Sequence, residues 1–165
     1  MNIWHIAGFS CLQYQCPIKP RSGERPRFWK GSPTHKGPFA HARDIIVPDP
    51  QVRSLPVFAP QDGVIVELKQ NHTAWGRTSG YALFTNVISV LTLVPREFYQ
   101  FCHIMAFSCP YKIGDRVKAG ELLAQTGANG YMTDTRHIHF MVGVIDEKGP
   151  EGFSSVRIRW ANTPA

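Results

Sequence analysis

The sequence is short of acidic residues, of repeats and of long apolar segments. It has 12 Asp and Glu against 18 Lys and Arg, which gives a formal net charge of +6. This balance favours a polyanionic partner such as nucleic acid, an anionic membrane or an acidic cell wall, without selecting among them. We find no internal repeat and no low-complexity tract.

We expect neither a membrane span nor a signal peptide. The strongest apolar candidate, residues 87–94, is broken by Ser89 and Thr92 and soon followed by Pro95. It is therefore too short to cross a bilayer. The first residues lack a basic segment and an uninterrupted apolar run, so we expect no signal peptide.

Cysteine is scarce and does not occur as a CxxC pair. The four cysteines are Cys11, Cys16, Cys102 and Cys109. Their spacing excludes a zinc ribbon and a thioredoxin-like motif, so a site of four thiolates is not expected. The sequence is equally compatible with two disulfides between nearby cysteines and with four reduced thiols.

Turn-forming residues are plentiful and indicate many short strands. The chain of 165 residues contains 14 Gly and 13 Pro, which predicts a single, mostly β domain. Two β runs, residues 54–60 and 64–68, are joined at Asp62 and Gly63, which predicts a hairpin-like corner. Residues 1–32 are rich in Pro, Arg and Gly with weak periodicity. We interpret them as an irregular basic arm that packs on a domain of residues 33–165.

The segment from His137 to Phe140 alternates polar and apolar residues. In a strand, residues two apart face the same side, so His137 and His139 would share one face while Ile138 and Phe140 enter the core. Neutral imidazole is the commonest metal ligand, which makes this pair a candidate metal site. The alternative is a pair of half-exposed histidines on a strand.

Further candidate ligands lie in or beside other predicted strands. These residues are His35 or His41, Asp44 and His103. Two imidazoles and one carboxylate leave the fourth position of a zinc ion open for water, as hydrolytic zinc sites require. Additional histidines beside the metal can take a proton and stabilise charge.

Several motifs occur together in one order along the chain. An early His35 and Asp44 are followed by Ala59-Pro60-Gln61-Asp62-Gly63-Val64, a lone His103, Ile113-Gly114-Asp115-Arg116-Val117-Lys118-Ala119-Gly120 and His137-Ile138-His139-Phe140. In this order the chain resembles the lysostaphin-like (LytM-type) zinc metalloendopeptidases, which cut peptidoglycan peptides. The resemblance covers about residues 34–144 and leaves the basic arm outside.

The resemblance implies a fold, an activity and a location. The fold would be all-β, a folded antiparallel sheet or barrel-sandwich hybrid with an open groove and little helix. The activity would be hydrolysis of amide bonds in peptidoglycan cross-links or bridge peptides, or in another peptide substrate, with no nucleic-acid partner expected. The location would be the cell envelope or the exterior.

The resemblance also implies roles for the polar residues. His35, Asp44 and His139 would hold Zn²⁺. His103 and His137 would flank the metal and be catalytic, one accepting a proton and the other donating a hydrogen bond to the oxyanion of the scissile amide. Where the family usually has Gly-Pro before its His-x-His, this chain has residues 134–136, so the neighbouring loop should differ.

The first metal ligand could be His35 or His41. His41 precedes Asp44 by three residues, so on a continuous strand their side chains would point to opposite faces. His35 is separated from that strand by a turn at Gly37 and Pro38 that can bring its imidazole back. We therefore predict His35 as the ligand and His41 as a residue of the rim.

Other functions are open. A non-catalytic wall-binding or regulatory module with a hybrid barrel would keep the fold but usually lacks ligands. A phosphocarrier like the sugar-transport permease domain would use paired histidines and needs no Asp44. A biotinyl or lipoyl carrier is disfavoured because no lysine lies at an evident hairpin tip.

Overall fold

The computed structural model describes residues 8–19, 27–29, 31–46, 54–94, 96–132, 136–149 and 151–161. Within these ranges the chain consists of strands, loops and two short 3₁₀ helices, Gly37–Phe39 and Ser79–Phe84. None of the helices described there has the length and apolar character needed to cross a membrane. The predicted all-β fold with little helix is confirmed.

The strands have the following bounds. In chain order they are β1 (Phe9–Tyr14), β2 (Arg27–Trp29), β3 (Arg43–Ile46), β4 (Pro56–Phe58), β5 (Gly63–Lys69), β6 (Trp75–Gly76), β7 (Val87–Thr92), β8 (Glu97–Cys102), β9 (Arg116–Val117), β10 (Leu122–Gln125), β11 (Gly130–Tyr131), β12 (His137–Ile145) and β13 (Phe153–Trp160).

Most of these strands form one sheet. Its order among the described residues is β1-β13-β12-β8-β7-β5-β9, while β3 pairs with β12 and carries β2 on its other side. The pairs are antiparallel except for β1 and β13, which run parallel. Two small sheets complete the description, an antiparallel pair of β4 with β10 and a parallel pair of β6 with β11.

Strand β12 lies near the middle of the large sheet and is buried over most of its length. Ile138, Phe140 and Val142 all belong to the hydrophobic core. Phe140 pairs with Phe101 of β8, and their rings stack with centroids 4.9 Å apart. The core side chains hold β12 in one register, because a slip by one residue would expose them and bury the histidines in their place.

The core also includes side chains from the small β4–β10 sheet. Val57 and Leu123 are fully buried in the same cluster as Ile65, Tyr99 and Phe101 of the large sheet. The Asp62-Gly63 turn therefore joins two different sheets. The predicted corner occurs, but its strands do not form a hairpin, because β4 pairs with β10 and β5 with β7 and β9.

The N-terminal residues contribute strands to the large sheet. We expected an irregular arm, yet β1 pairs with β13 and β2 pairs with β3. The buried carboxylate of Glu97 fastens β1, since it accepts hydrogen bonds from the backbone N–H of Cys11 (2.7 Å) and Leu12 (3.2 Å) and from the Tyr14 hydroxyl (2.7 Å). A distant partner thus supplies the order that the local sequence pattern does not indicate. The domain boundary at residue 32 stays a prediction.

Candidate metal centre

Three potential metal ligands meet at the junction of β3 and β12. Asp44 pairs directly with His139 across the two strands, so both side chains project from the same face of the sheet. His35 reaches them from the loop before the 3₁₀ helix Gly37–Phe39. Their side chains are almost completely buried, with 2 % of His35, 4 % of Asp44 and 9 % of His139 exposed.

The three donor atoms form a nearly equilateral triangle. His35 Nε2 lies 3.2 Å from Asp44 Oδ1 and 3.3 Å from His139 Nδ1, and His139 Nδ1 lies 3.1 Å from Asp44 Oδ1. Tetrahedral zinc with bonds of about 2.0–2.1 Å to nitrogen and oxygen separates its ligand atoms by about 3.3 Å. The residues present therefore fit a zinc ion in both donor chemistry and spacing.

Asp44 is held in its charged form. Burial acts to raise the pKa of its carboxyl group, but the hydrogen bond with His139 and the charges of His137, His139 and His35 outweigh burial and lower the pKa to about 2. A carboxylate surrounded by imidazoles is the donor that a divalent cation requires.

The other two histidines of the predicted site lie beside this triangle. His137 shares the face of β12 with His139, and its Nε2 is 3.9 Å from Asp44 Oδ1. The ring of His103, just after the end of β8, meets the ring of His137 edge to face, with centroids 4.9 Å apart. The structure thus brings together the five residues that the sequence predicts as ligands and catalytic groups.

His103 is held in a strained backbone conformation. Its φ of 69° lies in the left-handed region, which a residue with a side chain rarely adopts. Two backbone hydrogen bonds fix this turn, from the His103 N–H to Asn86 O (3.0 Å) and from the Gly127 N–H to His103 O (2.8 Å). The strain directs the His103 ring out of the strand and towards His137.

The ring of His103 is oriented by the carbonyl group of Asn129. The Nδ1–H donates to Asn129 O at 2.8 Å, which leaves Nε2 as the acceptor nitrogen of a neutral ring. Burial lowers the pKa of His103, the nearby His137 lowers it further, and the hydrogen bond to the Asn129 carbonyl group offsets only part of this, so that the pKa is about 3. His103 is therefore a neutral imidazole with a fixed tautomer.

Two buried asparagines hold this carbonyl group in place. The Asn129 side chain donates to Ile104 O (2.6 Å) and accepts from the Asn86 N–H (2.8 Å), while Asn86 Nδ2 donates to Ile104 O and His72 O. The sequence reading missed both residues. The Asn129-Gly130 dipeptide was a usable signal for a turn, and Gly130 indeed has a φ of 77°.

A cavity of about 370 Å³ opens above the triangle. Trp29 and Phe39 line it on the N-terminal side, and Thr85 and Tyr131 line it from the loops before β7 and at β11. Cys102, which pairs with His139 in register, also lines this cavity. These groove residues were not singled out from the sequence, because their proximity depends on contacts between distant strands and loops.

His41 is outside the group of three donors. Its backbone N–H donates to Ser155 Oγ at 3.0 Å, which ties the loop to β13. Burial lowers the pKa of the His41 ring, and the positive charges of Arg157 and Arg43 lower it further. The surroundings of His41 are thus cationic and unfavourable for a metal ion.

Part of the chain is similar in sequence to a known endopeptidase. No protein-family model matches the chain. The glycyl-glycine endopeptidase ALE-1 of Staphylococcus capitis is 38% identical over 85 residues, which are 52% of this chain and 20% of that protein. The chain therefore spans about a fifth of the length of this curated relative.

Solved structures share the fold. The proposed glycyl-glycine endopeptidase LytM of Ruminococcus gnavus matches 88% of this chain and 57% of its own, at 21% identity and a TM-score of 0.59. A zinc-containing peptidase of Vibrio cholerae matches 79% of this chain and 36% of its own, at 19% identity and a TM-score of 0.54. With the ordered motifs and the curated relative, these likenesses define a curled, open β-sheet of the peptidase type. The chain thus resembles the lysostaphin/LytM-type family in the sequence of those 85 residues and in its fold.

Proposed function

We propose that the chain is a zinc-dependent metalloendopeptidase that hydrolyses amide bonds in peptidoglycan cross-links or bridge peptides. The observation that carries the proposal is the triangle of His35, Asp44 and His139 donor atoms, with edges of 3.1–3.3 Å, on the floor of an open cavity. The relatives named as glycyl-glycine endopeptidases and as a zinc-containing peptidase support both the substrate class and the metal.

In this proposal His35, Asp44 and His139 hold the metal. Zinc bound there would supply Lewis-acid chemistry, polarising a carbonyl group and making water more acidic. The negative charge of Asp44, kept ionised by its imidazole neighbours, offsets part of the charge of the ion.

The flanking histidines act on protons and on developing charge. His103 is neutral and presents Nε2 because its Nδ1–H is bonded to Asn129 O, so Nε2 can accept a proton during attack. His137, edge to face with His103, would donate a hydrogen bond to the oxyanion that forms at the scissile amide. Walls such as Trp29 and Phe39 limit the access of bulk water.

The two alternatives are less well supported. A non-catalytic module does not need three donor atoms spaced like the ligands of one metal ion, nor two further histidines beside them. A phosphocarrier would carry its phosphoryl group on a histidine such as His137, whose Nε2 is 3.9 Å from Asp44 Oδ1, so the negative charges of the phosphoryl group and of Asp44 would repel each other.

The proposal is tested by incubating the purified, zinc-loaded chain with purified peptidoglycan of direct cross-link type and of glycine-bridge type. We expect new amino termini, detected by mass spectrometry, and their loss when a chelator removes the metal. A fully metal-loaded protein that releases no amino termini from either wall type would contradict the proposal.

A further inference from the structure

A second cavity of about 450 Å³ lies on the face of the sheet that carries the metal centre. Most of its lining is apolar and comes from Val66, Leu91, Phe98, Ile145 and Phe153. The polar part comes from Glu67, Ser89 and Gln100.

The strand register connects this cavity to the metal centre. At the level of the metal, His139 of β12 pairs with Cys102 of β8. Two residues before Cys102 on β8, Gln100 pairs with Ser89 of β7, and Ser89 pairs with Glu67 of β5. Residues two apart face the same side, so Cys102 and Gln100 form one continuous floor from the first cavity to the second.

The carboxylate of Glu67 is fixed in this floor. Its Oε2 accepts hydrogen bonds from the Ser89 hydroxyl and from Gln100 Nε2, the latter at 3.3 Å, and Gln100 Nε2 also donates to Ser89 Oγ at 3.0 Å. Among the residues that the structure describes, no Lys, Arg or His forms an ion pair with Glu67. Lys69, two residues away on the same strand, donates instead to Leu83 O at 2.6 Å.

We infer that the second cavity is a substrate subsite for an aliphatic primary ammonium group, such as a lysine side chain, with Glu67 as its counter-ion. Both of these hydrogen bonds go to Oε2, which leaves Oε1 as the acceptor for the ligand. An aliphatic ammonium matches the site in two ways, because its methylene stem suits the apolar walls while its charged end needs a carboxylate.

The net charge makes this carboxylate distinctive. The chain carries +6 overall, which disfavours a cationic ligand in general, so attraction of an ammonium group requires a local carboxylate such as Glu67. Ser89 and Gln100 preorganise the carboxylate, which lowers the entropy cost of binding.

The distance between the two cavities determines how many residues of a bound peptide separate the cleaved bond from the residue that carries the ammonium group. Three strand intervals of about 4.8 Å and a rise of about 7 Å place Glu67 roughly 16 Å from His139. An extended peptide covers this distance in about five residues. This placement rests on the proposed peptidase function, which supplies the cleaved bond as the reference point.

The probe is a pair of oligoglycine peptide series. In one series a single lysine is moved along the chain, and in the other norleucine takes its place, keeping the stem and removing the charge. We expect that at one position, about five residues from the cleaved bond, kcat/KM for the lysine peptide exceeds that for the norleucine peptide about fivefold, the scale of a partly exposed ion pair.

Glu67→Gln keeps the size and the hydrogen-bonding capacity of the side chain and removes its charge. We expect this variant to lose the preference for lysine while hydrolysing norleucine peptides like the wild type. Glu147→Gln is the matched control, since Glu147 is 79% exposed in an ion pair with Arg96 and does not line the cavity. A lysine preference that is absent from the wild type, or that persists in Glu67→Gln, would overturn the inference.

A binding measurement separates this inference from the proposed function. The peptidase proposal is decided by the release of amino termini from the two wall types, whereas the dissociation constants of the lysine and norleucine peptides test the subsite by themselves, even if no oligoglycine peptide is hydrolysed. Tighter binding of the lysine peptide to the wild type, lost in Glu67→Gln and kept in Glu147→Gln, supports the subsite. Equal binding of the two peptides to the wild type overturns it.

Discussion

Asp44 and His139 are directly paired across β3 and β12, with Asp44 Oδ1 3.1 Å from His139 Nδ1. The contact is thus a product of strand register, because the partners are 95 residues apart in the chain. A register shift of one residue would turn one of the two side chains to the opposite face and separate the donors. The core residues Ile138 and Phe140 prevent such a shift, so hydrophobic packing is what preorganises the site.

The first prediction concerns the flanking histidines. His103→Ala and His137→Ala should keep the metal but lose hydrolysis by at least ~100-fold, the scale of losing general acid–base or oxyanion help. Metal analysis and turnover on peptidoglycan measure the two effects. His72→Ala is the matched control, because only the backbone of His72 binds Asn86, and it should stay active. Near wild-type turnover in either of the first two variants would show that its histidine has no catalytic role.

A second prediction concerns Asn129, whose carbonyl group orients His103. Asn129→Ala removes the side-chain hydrogen bonds to Ile104 O and from the Asn86 N–H, so the His103 tautomer and position should become less well fixed. We expect kcat to fall about tenfold with zinc content unchanged. Asn71→Ala, at an exposed asparagine, should leave kcat unaltered. Equal kcat values for the two variants would show that the Asn129 side chain does not position His103 for catalysis.

The order of the candidate ligands along the sequence was enough to predict most of the residues of the site. Alternation around His137 and His139 was enough to place both on one face, because β-strand geometry is local. The strands β1 and β2 could not be predicted in the same way. Their pairing depends on β13, β3 and the buried Glu97, which are far away in sequence. The asparagine network around His103 was missed for the same reason, since buried asparagine and loop asparagine look alike in a sequence.

The third prediction tests the attachment of β1. Glu97→Ala would leave the Cys11 and Leu12 N–H groups and the Tyr14 hydroxyl without their acceptor. We expect a loss of about 3 kcal/mol or more in the free energy of unfolding, measured by urea denaturation. Glu147→Ala, which removes an exposed ion pair with Arg96, should cost less than about 1 kcal/mol. A similar small loss in both variants would mean that β1 is held by other contacts.

The fourth prediction concerns the four cysteines, none of which forms a disulfide in the described part of the chain. Burial raises the pKa of each thiol above its ordinary value, and that of Cys102 to about 12. The folded state therefore keeps its thiols protonated where the unfolded chain begins to ionise. At pH 8 we expect iodoacetamide to label the native protein more slowly than the urea-unfolded protein, as counted by mass spectrometry.

The same shift has a consequence for stability. Because the folded pKa of Cys102 is raised, its contribution to stability is fully present below the unfolded pKa of about 9 and is lost as pH rises towards about 12. Cys102→Ser should show a smaller loss of stability between a pH of about 9 and a pH of about 12.

The labelling experiment also has a contradicting outcome. If iodoacetamide labels the native protein at pH 8 as fast as the unfolded chain, the thiols are not buried.

The zinc content of four purified variants tests the central claim most directly. His35→Ala, Asp44→Ala and His139→Ala should each lose the one zinc expected per chain, because three protein ligands leave no redundancy. His41→Ala should keep its zinc, since His41 lies among Arg43 and Arg157 and outside the donor triangle. Loss of zinc from His41→Ala with full retention in His35→Ala, or full zinc in Asp44→Ala, would contradict the site.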